Sequence, residues 1–432
     1  MDFVEESLCG VLAAAREGVR SVAPAMEIGM MSTHVQDNLR FESDFDRWLR
    51  TTDAVAARPG GGFWNERQPL SLFGKAFGVG NQCAVVTAPK VRDVLWELED
   101  FPRLAYKSPR MHVVECALAV AMGCNGIMSN SAIPWPDART RAVYGAINAA
   151  RPQLNAFLAA RRGLKLVGTS VPFRRDFDRV RPAKGAWDVR AAVPLFGRFM
   201  SAYAAGWTPF APFIDTAAPV VCLMPETLEL MTDAEIAGYL SRGVFVDASG
   251  AAALVARGFG ADIGLVDAGR GVRLGCEHLT DDPLNGAFRG FERVVGGNPE
   301  DGRDGTTAWR ILPGVRPLGT TRAGEPTTFV FENERGGRVC VAGCAWGTFP
   351  QAPCRQQQMR NVFAWLAKGA WPVVSGGVNT IPVYYEGKGR RLLFLLNAST
   401  DETGPISVRF PGRAPETLSS LEAWCWTFVA VK

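Results

Sequence analysis

Two glutamates separated by one residue stand near the end of a strand-like segment, V-L-W-E-L-E-D-F-P (94–102). Side chains alternate between the two faces of a strand, so Glu97 and Glu99 share one face while Trp96 and Leu98 lie on the other. In a closed barrel of parallel strands, the outer face packs on helices and the inner face carries catalytic groups at the carboxyl ends of the strands. An edge strand with a solvated acidic face would show the same alternation, and periodicity alone gives both alternatives similar weight.

The segments on either side alternate between helical and strand-like patterns. Between consecutive strand-like segments the connections are too long for hairpins, which favours parallel strands in an α/β fold. The predicted helices are 3–21 and 110–122, and the predicted strands are 25–31, 91–101 and 126–130.

A second unit is predicted from residue 138, with an open, doubly wound, flavodoxin-like pattern of strands and helices. Its clearest local signal is the capping box Thr232-Asp-Ala-Glu235 before a helix to residue 242. The predicted helices are 138–162, 189–203, 232–242, 251–257 and 356–368, and the predicted strands are 165–171, 218–224, 243–248, 327–331 and 338–342, the last two forming a hairpin. A loop-rich stretch is expected over 266–326.

The tail from about residue 373 consists of short strand-like segments, which predicts a small β-sandwich. We therefore expect three domains, at 1–137, 138–370 and 371–432. The first would be the final part of a (β/α)₈ barrel.

Composition excludes several functional classes. The 432 residues carry a formal net charge of only +4, and no basic stripe favours nucleic acid or an anionic membrane. The ten cysteines include no C-x-x-C pair and the three histidines are far apart, so we expect neither a metal site nor a cofactor. No signal peptide or membrane-spanning run is recognisable, and a cytoplasmic location is expected.

Several short motifs together carry a family resemblance. The segments R-P-G-G-G-F-W-N-E (58–66), L-F-G-K-A (72–76), W-E-L-E-D-F-P (96–102), K-S (107–108) and A-M-G-C-N-G (121–126) resemble a run in β-galactosidase-like glycoside hydrolases of the retaining (β/α)₈ superfamily. In that family the E-L-E-like stretch forms the seventh barrel strand, which carries the nucleophile. The resemblance implies Glu97 as nucleophile and Glu99 as the second candidate. The chain departs from the family at Trp96, which replaces a small residue, and at Asp100, which replaces asparagine.

A weaker resemblance covers 219–250, which is similar to the glutamine-amidotransferase-like trimerisation domain of certain β-galactosidases. It implies a homo-oligomer, specifically a trimer. An amidotransferase or cysteine hydrolase activity is not expected, because the strand-to-helix turn D-A-S-G (247–250) has no cysteine and no histidine follows Cys344. Pairing of Ser249 with His278 is a remote alternative.

Five further residues are candidates for contacts with a glycoside or oligosaccharide. They are Arg58, Trp64, Asn65, Glu66 and Trp135. Aromatic faces pack well on the C–H surfaces of sugars. For any one of these positions, however, a rigid turn or core packing is the favoured interpretation.

Retaining hydrolysis needs a second carboxylate, roughly 5 Å from the nucleophile. We count only three barrel strands and assign no acid/base; Asn65–Glu66, in a glycine-rich loop, is not assigned. We therefore expect that the barrel's first half is truncated or supplied by another polypeptide, or that the chain is an inactive remnant. The alternative function is a non-catalytic carbohydrate-binding or oligomerisation module.

Overall fold

The structure, a computed structural model, describes residues 2–31, 45–60, 62–66, 69–99, 107–129, 137–172, 209, 217–273, 276–294, 305–343, 353–377 and 379–432. The described residues form parallel and mixed sheets with helices between them. Within these ranges, no helix has the length and apolar character needed to cross a bilayer. Trp135, Cys344 and the predicted helix 189–203 lie outside the described residues.

The N-terminal part contains a parallel sheet of four strands in the order β1-β2-β3-β4. Its strands are β1 (Gly29–Met31), β2 (Ala56–Arg58), β3 (Asp93–Leu98) and β4 (Gly126–Ser129). Its helices are α1 (Asp2–Val22), α2 (Phe45–Thr52), α3 (Pro69–Val85) and α4 (Pro109–Ala121). The prediction of three barrel strands in this part of the chain was wrong, because the described residues form four. Strand β2 was missed because it is too short to give a periodic signal.

Strand β3 lies between β2 and β4, so the edge-strand alternative for the two glutamates is wrong. Trp96 and Leu98 are both completely buried against the helices. The alternation along β3 therefore follows the predicted pattern, with the acidic residues on the opposite face.

The middle of the chain forms an eight-stranded mixed sheet in the order β11-β10-β13-β14-β15-β8-β7-β6. Strands β6, β7, β8 and β15 are mutually parallel, and the strands beyond β15 pair antiparallel. The strands are β6 (Thr169–Ser170), β7 (Val220–Leu223), β8 (Gly243–Asp247), β10 (Cys276–Leu279), β11 (Glu292–Val294), β13 (Arg316–Thr320), β14 (Pro326–Glu332) and β15 (Arg338–Ala342). The helices of this region are α5 (Ala138–Arg161), α6 (Pro225–Leu228), α7 (Asp233–Leu240), α8 (Ala248–Ala256) and α9 (Pro353–Leu366).

Two expectations for this region need correction. Residues 266–326 are not a plain loop, because they contain β10, β11 and β13 as well as the pair β9 (Arg270–Arg273) and β12 (Gly305–Ala308). The predicted strand 165–171 is divided into β5 (Lys165–Leu166) and β6, which belong to different sheets. The predicted hairpin is confirmed by the antiparallel register of β14 and β15.

The C-terminal part contains two sheets, in the orders β16-β19-β20 and β21-β18-β17-β5. Their strands are β16 (Val373–Ser375), β17 (Thr380–Gly387), β18 (Arg390–Asn397), β19 (Ile406–Arg409), β20 (Glu416–Leu418) and β21 (Trp426–Val431). Strand β5 comes from the range assigned to the middle domain and pairs with β17. The strand pairing therefore crosses the boundary drawn at residue 371.

Candidate active site

An ion pair joins the two central strands of the parallel sheet. Arg58, the last residue of β2, donates from Nη1 to Oε1 of Glu97 on β3. The side chains retain only 15% and 13% of their exposure, so both charged groups are largely covered but still reach solvent. The charge-assisted hydrogen bond from Arg58 orients a carboxylate that remains partly accessible, and a nucleophile requires both orientation and access.

A fully buried charge cluster lies behind β3, on the side of the helices. Glu115 of α4 accepts a hydrogen bond at Oε2 from Lys75 Nζ at 2.7 Å and pairs through Oε1 with Lys107. The indole of Trp96 donates to the same Oε2 at 3.2 Å. Burial lowers the pKa of the Lys75 ammonium, while the charge of Glu115 opposes that shift.

The two lysines of this cluster also bond to the backbone of the strand end that carries the glutamates. Lys75 Nζ donates to the carbonyl of Glu97 at 3.0 Å, and Lys107 Nζ donates to the carbonyl of Glu99 at 3.2 Å. Ammonium groups on the helix side thus hold the carboxyl end of β3 in place. The backbone that carries the candidate nucleophile is therefore held in position by buried charged groups.

The glycine-rich loop places its candidate residues in different environments. Trp64 is only 3% exposed and packs edge to face on Trp424 of the C-terminal part, with ring centroids 6.0 Å apart. Glu66 accepts a hydrogen bond from the Ser108 N–H at 2.8 Å, at the start of α4. Asn65 is half-buried. Trp64 and Glu66 therefore have packing and capping roles, and Arg58 pairs with Glu97.

Sequence reasoning did not select Lys75, Lys107 or Glu115 as site residues. A signal was present, because Glu115 is the one charged residue in the otherwise apolar stretch 113–128. A lone carboxylate on a buried helix face requires a cationic partner. The identity of those partners depends on three segments meeting in space.

The turn after β8 does not form a nucleophile elbow. Asp247 Oδ1 caps α8 by accepting the Gly250 N–H at 2.7 Å, and the Ser249 hydroxyl donates to the same oxygen at 2.8 Å. His278 lies on β10, with Glu292 as its acidic neighbour at 3.9 Å. These contacts explain the D-A-S-G sequence as a helix cap.

Comparison with known proteins places this geometry in a fold class. No protein-family model and no curated protein matches the sequence. Among solved structures, the chain is similar to the β-galactosidase from Rahnella sp. R3, at 11% identity and a TM-score of 0.56 over 100% of this chain and 67% of that one. The β-galactosidase from Bacillus circulans sp. alkalophilus is similar at 12% identity and a TM-score of 0.58, over 99% of this chain and 66% of that one.

The α-L-fucosidase isoenzyme 2 from Paenibacillus thiaminolyticus is also similar, with 13% identity and a TM-score of 0.59 over 91% of this chain and 71% of that one. Identities this low establish the fold alone. The chain has the fold of β-galactosidase-like glycoside hydrolases.

Proposed function

We propose that the chain is a glycoside hydrolase of the retaining type in which Glu97 is the nucleophile. The observation that supports it is the Arg58–Glu97 pair, a partly accessible carboxylate on an inner parallel strand with a guanidinium beside it. Glu99 lies two residues further along the same face and is the second candidate. The glycosidase fold agrees with this chemistry.

The proposed first step forms a covalent sugar ester. A carboxylate oxygen of Glu97 attacks the anomeric carbon, and the bond from that carbon to the leaving oxygen breaks. Arg58 orients the attacking carboxylate through its hydrogen bond to Oε1. Water then attacks the anomeric carbon, the bond from that carbon to the Glu97 oxygen breaks, and the free sugar, the carboxylate and a proton passed to solvent are the products.

Departure of an ordinary sugar alcohol requires a proton from a second carboxylate. We assign no such residue, so we expect negligible hydrolysis of natural glycosides by this chain alone. A dinitrophenolate leaving group needs no proton and isolates the role of Glu97 from that of an acid.

The test is covalent labelling of the full chain with a dinitrophenyl 2-deoxy-2-fluoro-galactoside, followed by intact-mass and peptide measurements. The expected result is a gain of one fluorinated sugar on the peptide that contains Glu97, lost in Glu97→Gln and retained in Glu99→Gln. Glu402→Gln, at an exposed position, is the matched control. Labelling that persists in Glu97→Gln would overturn the assignment.

The alternative function is a non-catalytic module that binds sugar or assembles subunits. It is favoured by the absence of an assigned acid/base. In that case calorimetry would show reversible galactoside binding without any labelling.

The proposed trimer predicts a sedimentation mass of three 46.7 kDa chains.

A further inference from the structure

A cavity of about 620 Å³ lies between helix α9 and the turn that links β19 to β20. Its volume falls within the roughly 300–1,000 Å³ that small-molecule sites occupy. The lining residues that matter for its chemistry are Trp365, Trp371, Arg409, Phe410 and Arg413. None of these residues belongs to the Glu97 site.

The lining of the cavity includes aromatic residues. Trp365 is half-buried, and the Arg338 guanidinium lies 4.9 Å from the centroid of its ring. Trp371 and Phe410 also line the cavity and are only 3% and 1% exposed. An aromatic side chain in such a cavity can pack on the C–H face of a pyranose ring.

The lining also includes cationic residues. Arg409 and Arg413 are both exposed and border the cavity, and none of the described residues that line it is acidic. Within the described part of the chain, no carboxylate forms an ion pair with Arg409. Arg413 donates from Nη2 to the carbonyl of Lys432, which holds its guanidinium beside the end of β21. A guanidinium that borders an open cavity is suited to forked hydrogen bonding with a carboxylate or sulfate.

From this juxtaposition we propose that the cavity is a binding site for a short saccharide that carries an anionic group, either a uronate carboxylate or a sulfate ester. The sugar ring packs against Trp365, and the anionic group bonds to Arg409 and Arg413. The site is separate from the proposed hydrolytic function and does not depend on it.

Calorimetric titration of the full chain tests the proposal with four probes: digalacturonate, a 6-sulfated galactobiose, neutral galactobiose and inorganic sulfate. We expect at least one anionic disaccharide to bind at least tenfold more tightly than neutral galactobiose and inorganic sulfate. Whichever anionic disaccharide binds more tightly identifies the anionic group. Binding of no probe, or equal binding of the neutral disaccharide or the inorganic ion, would overturn the proposal.

Variants connect the binding to the cavity. Arg409→Gln should lower the affinity for the anionic disaccharide at least tenfold. Arg151 is an exposed arginine of α5 outside the lining, and Arg151→Gln should leave that affinity unchanged. Trp365→Ala should lower the affinity further, in a chain whose circular dichroism is unchanged. Glu97→Gln should leave the affinity unaltered, which separates this site from the hydrolytic one. Equal losses in the Arg409 and Arg151 variants would contradict the location.

Discussion

At the residue scale, the buried triad of Glu115, Lys75 and Lys107 is the contact set that supports the candidate site. All three side chains are at most 2% exposed. Burying ions is costly, and such a group is retained only when each charge has partners of good geometry. Here those partners include the backbone carbonyls at the end of β3, so the cluster links the helices to the strand that carries Glu97.

Glu115→Gln tests how much this cluster contributes to the stability of the fold. The change removes the carboxylate that pairs with both buried ammonium groups, so we expect a loss of about 3–5 kcal/mol in the free energy of unfolding. The matched control is Glu386→Gln, whose partly exposed pair with Arg391 at 3.4 Å should contribute about 0–1 kcal/mol. Urea titration followed by tryptophan fluorescence measures both, and similar losses in the two variants would refute the buried-cluster account.

A second buried carboxylate makes stability depend on pH. Glu277 accepts hydrogen bonds from Arg293 and Arg355, each at 2.7 Å, and from Thr327 at 2.9 Å. Burial alone would raise the pKa of this carboxyl, but the two guanidinium charges outweigh burial and lower the pKa from 4.5 to about 2.

Because the folded pKa is the lower one, this stabilisation is present above pH 4.5 and is lost as the pH falls towards 2. Between pH 5 and pH 3 the loss amounts to about 2 kcal/mol. Glu277→Gln should be less stable than the parent at pH 7 and should show a flatter stability profile in that window. Urea midpoints at several pH values measure this. Glu416 is exposed, and Glu416→Gln should show the same dependence of stability on pH as the parent. If the stability of Glu277→Gln fell with pH as steeply as that of the parent, Glu277 would not be the source of this dependence.

At the element scale, helix α7 begins at the capping box that its sequence predicts. The Thr232 hydroxyl accepts the Glu235 N–H at 3.2 Å, and Glu235 Oε2 accepts the Thr232 N–H at 2.7 Å. The two residues satisfy each other's backbone donors at the first turn. The start of α7 is therefore encoded by adjacent residues and needs no distant contact.

Thr232→Ala should remove the hydroxyl that accepts the Glu235 N–H and that donates to Glu235 Oε2 at 2.8 Å, at a loss of about 1 kcal/mol in the free energy of unfolding. Thr232→Ser keeps an acceptor oxygen at the same place and should lose only a few tenths of that amount. Thermal unfolding followed by circular dichroism compares them. A serine variant as unstable as the alanine variant would show that the methyl group, and not the cap, matters.

At the scale of the whole molecule, helix α5 joins the parallel sheet region to the C-terminal sheets. Phe157 is completely buried between Phe394 and Phe428, at centroid distances of 5.5 and 5.3 Å. Tyr385 of β17 adds a hydrogen bond of 2.8 Å to the carbonyl of Ala121, at the end of α4. These contacts make the two regions depend on each other.

Phe157→Ala should therefore destabilise both regions at once. A loss of about 3–5 kcal/mol is expected from the cavity that it leaves. Tyr144→Ala in the same helix, at a position 38% exposed, should change stability by about 0.5 kcal/mol or less. Hydrogen exchange should show faster exchange in both α4 and β18 of the Phe157 variant. Faster exchange confined to one region would contradict a shared core.

Local patterns determined the parts of this protein that depend on neighbouring residues. The alternation along β3, the cap at Thr232 and the β14–β15 hairpin were all predictable, because each reflects how a single element or turn buries its own side chains and bonds its own backbone. The candidate carboxylates Glu97 and Glu99 followed from the same alternation, combined with a family resemblance.

Tertiary structure alone decided which distant surfaces meet. The pairing of Lys75 with Glu115 joins residues 40 positions apart, and Trp64 packs on a residue of the C-terminal part. Short strands such as β2 and β5 carry too few residues for a periodic signal, so only their sheet neighbours define them. Burial energy depends on the surface that covers a side chain, and that surface comes from elsewhere in the chain.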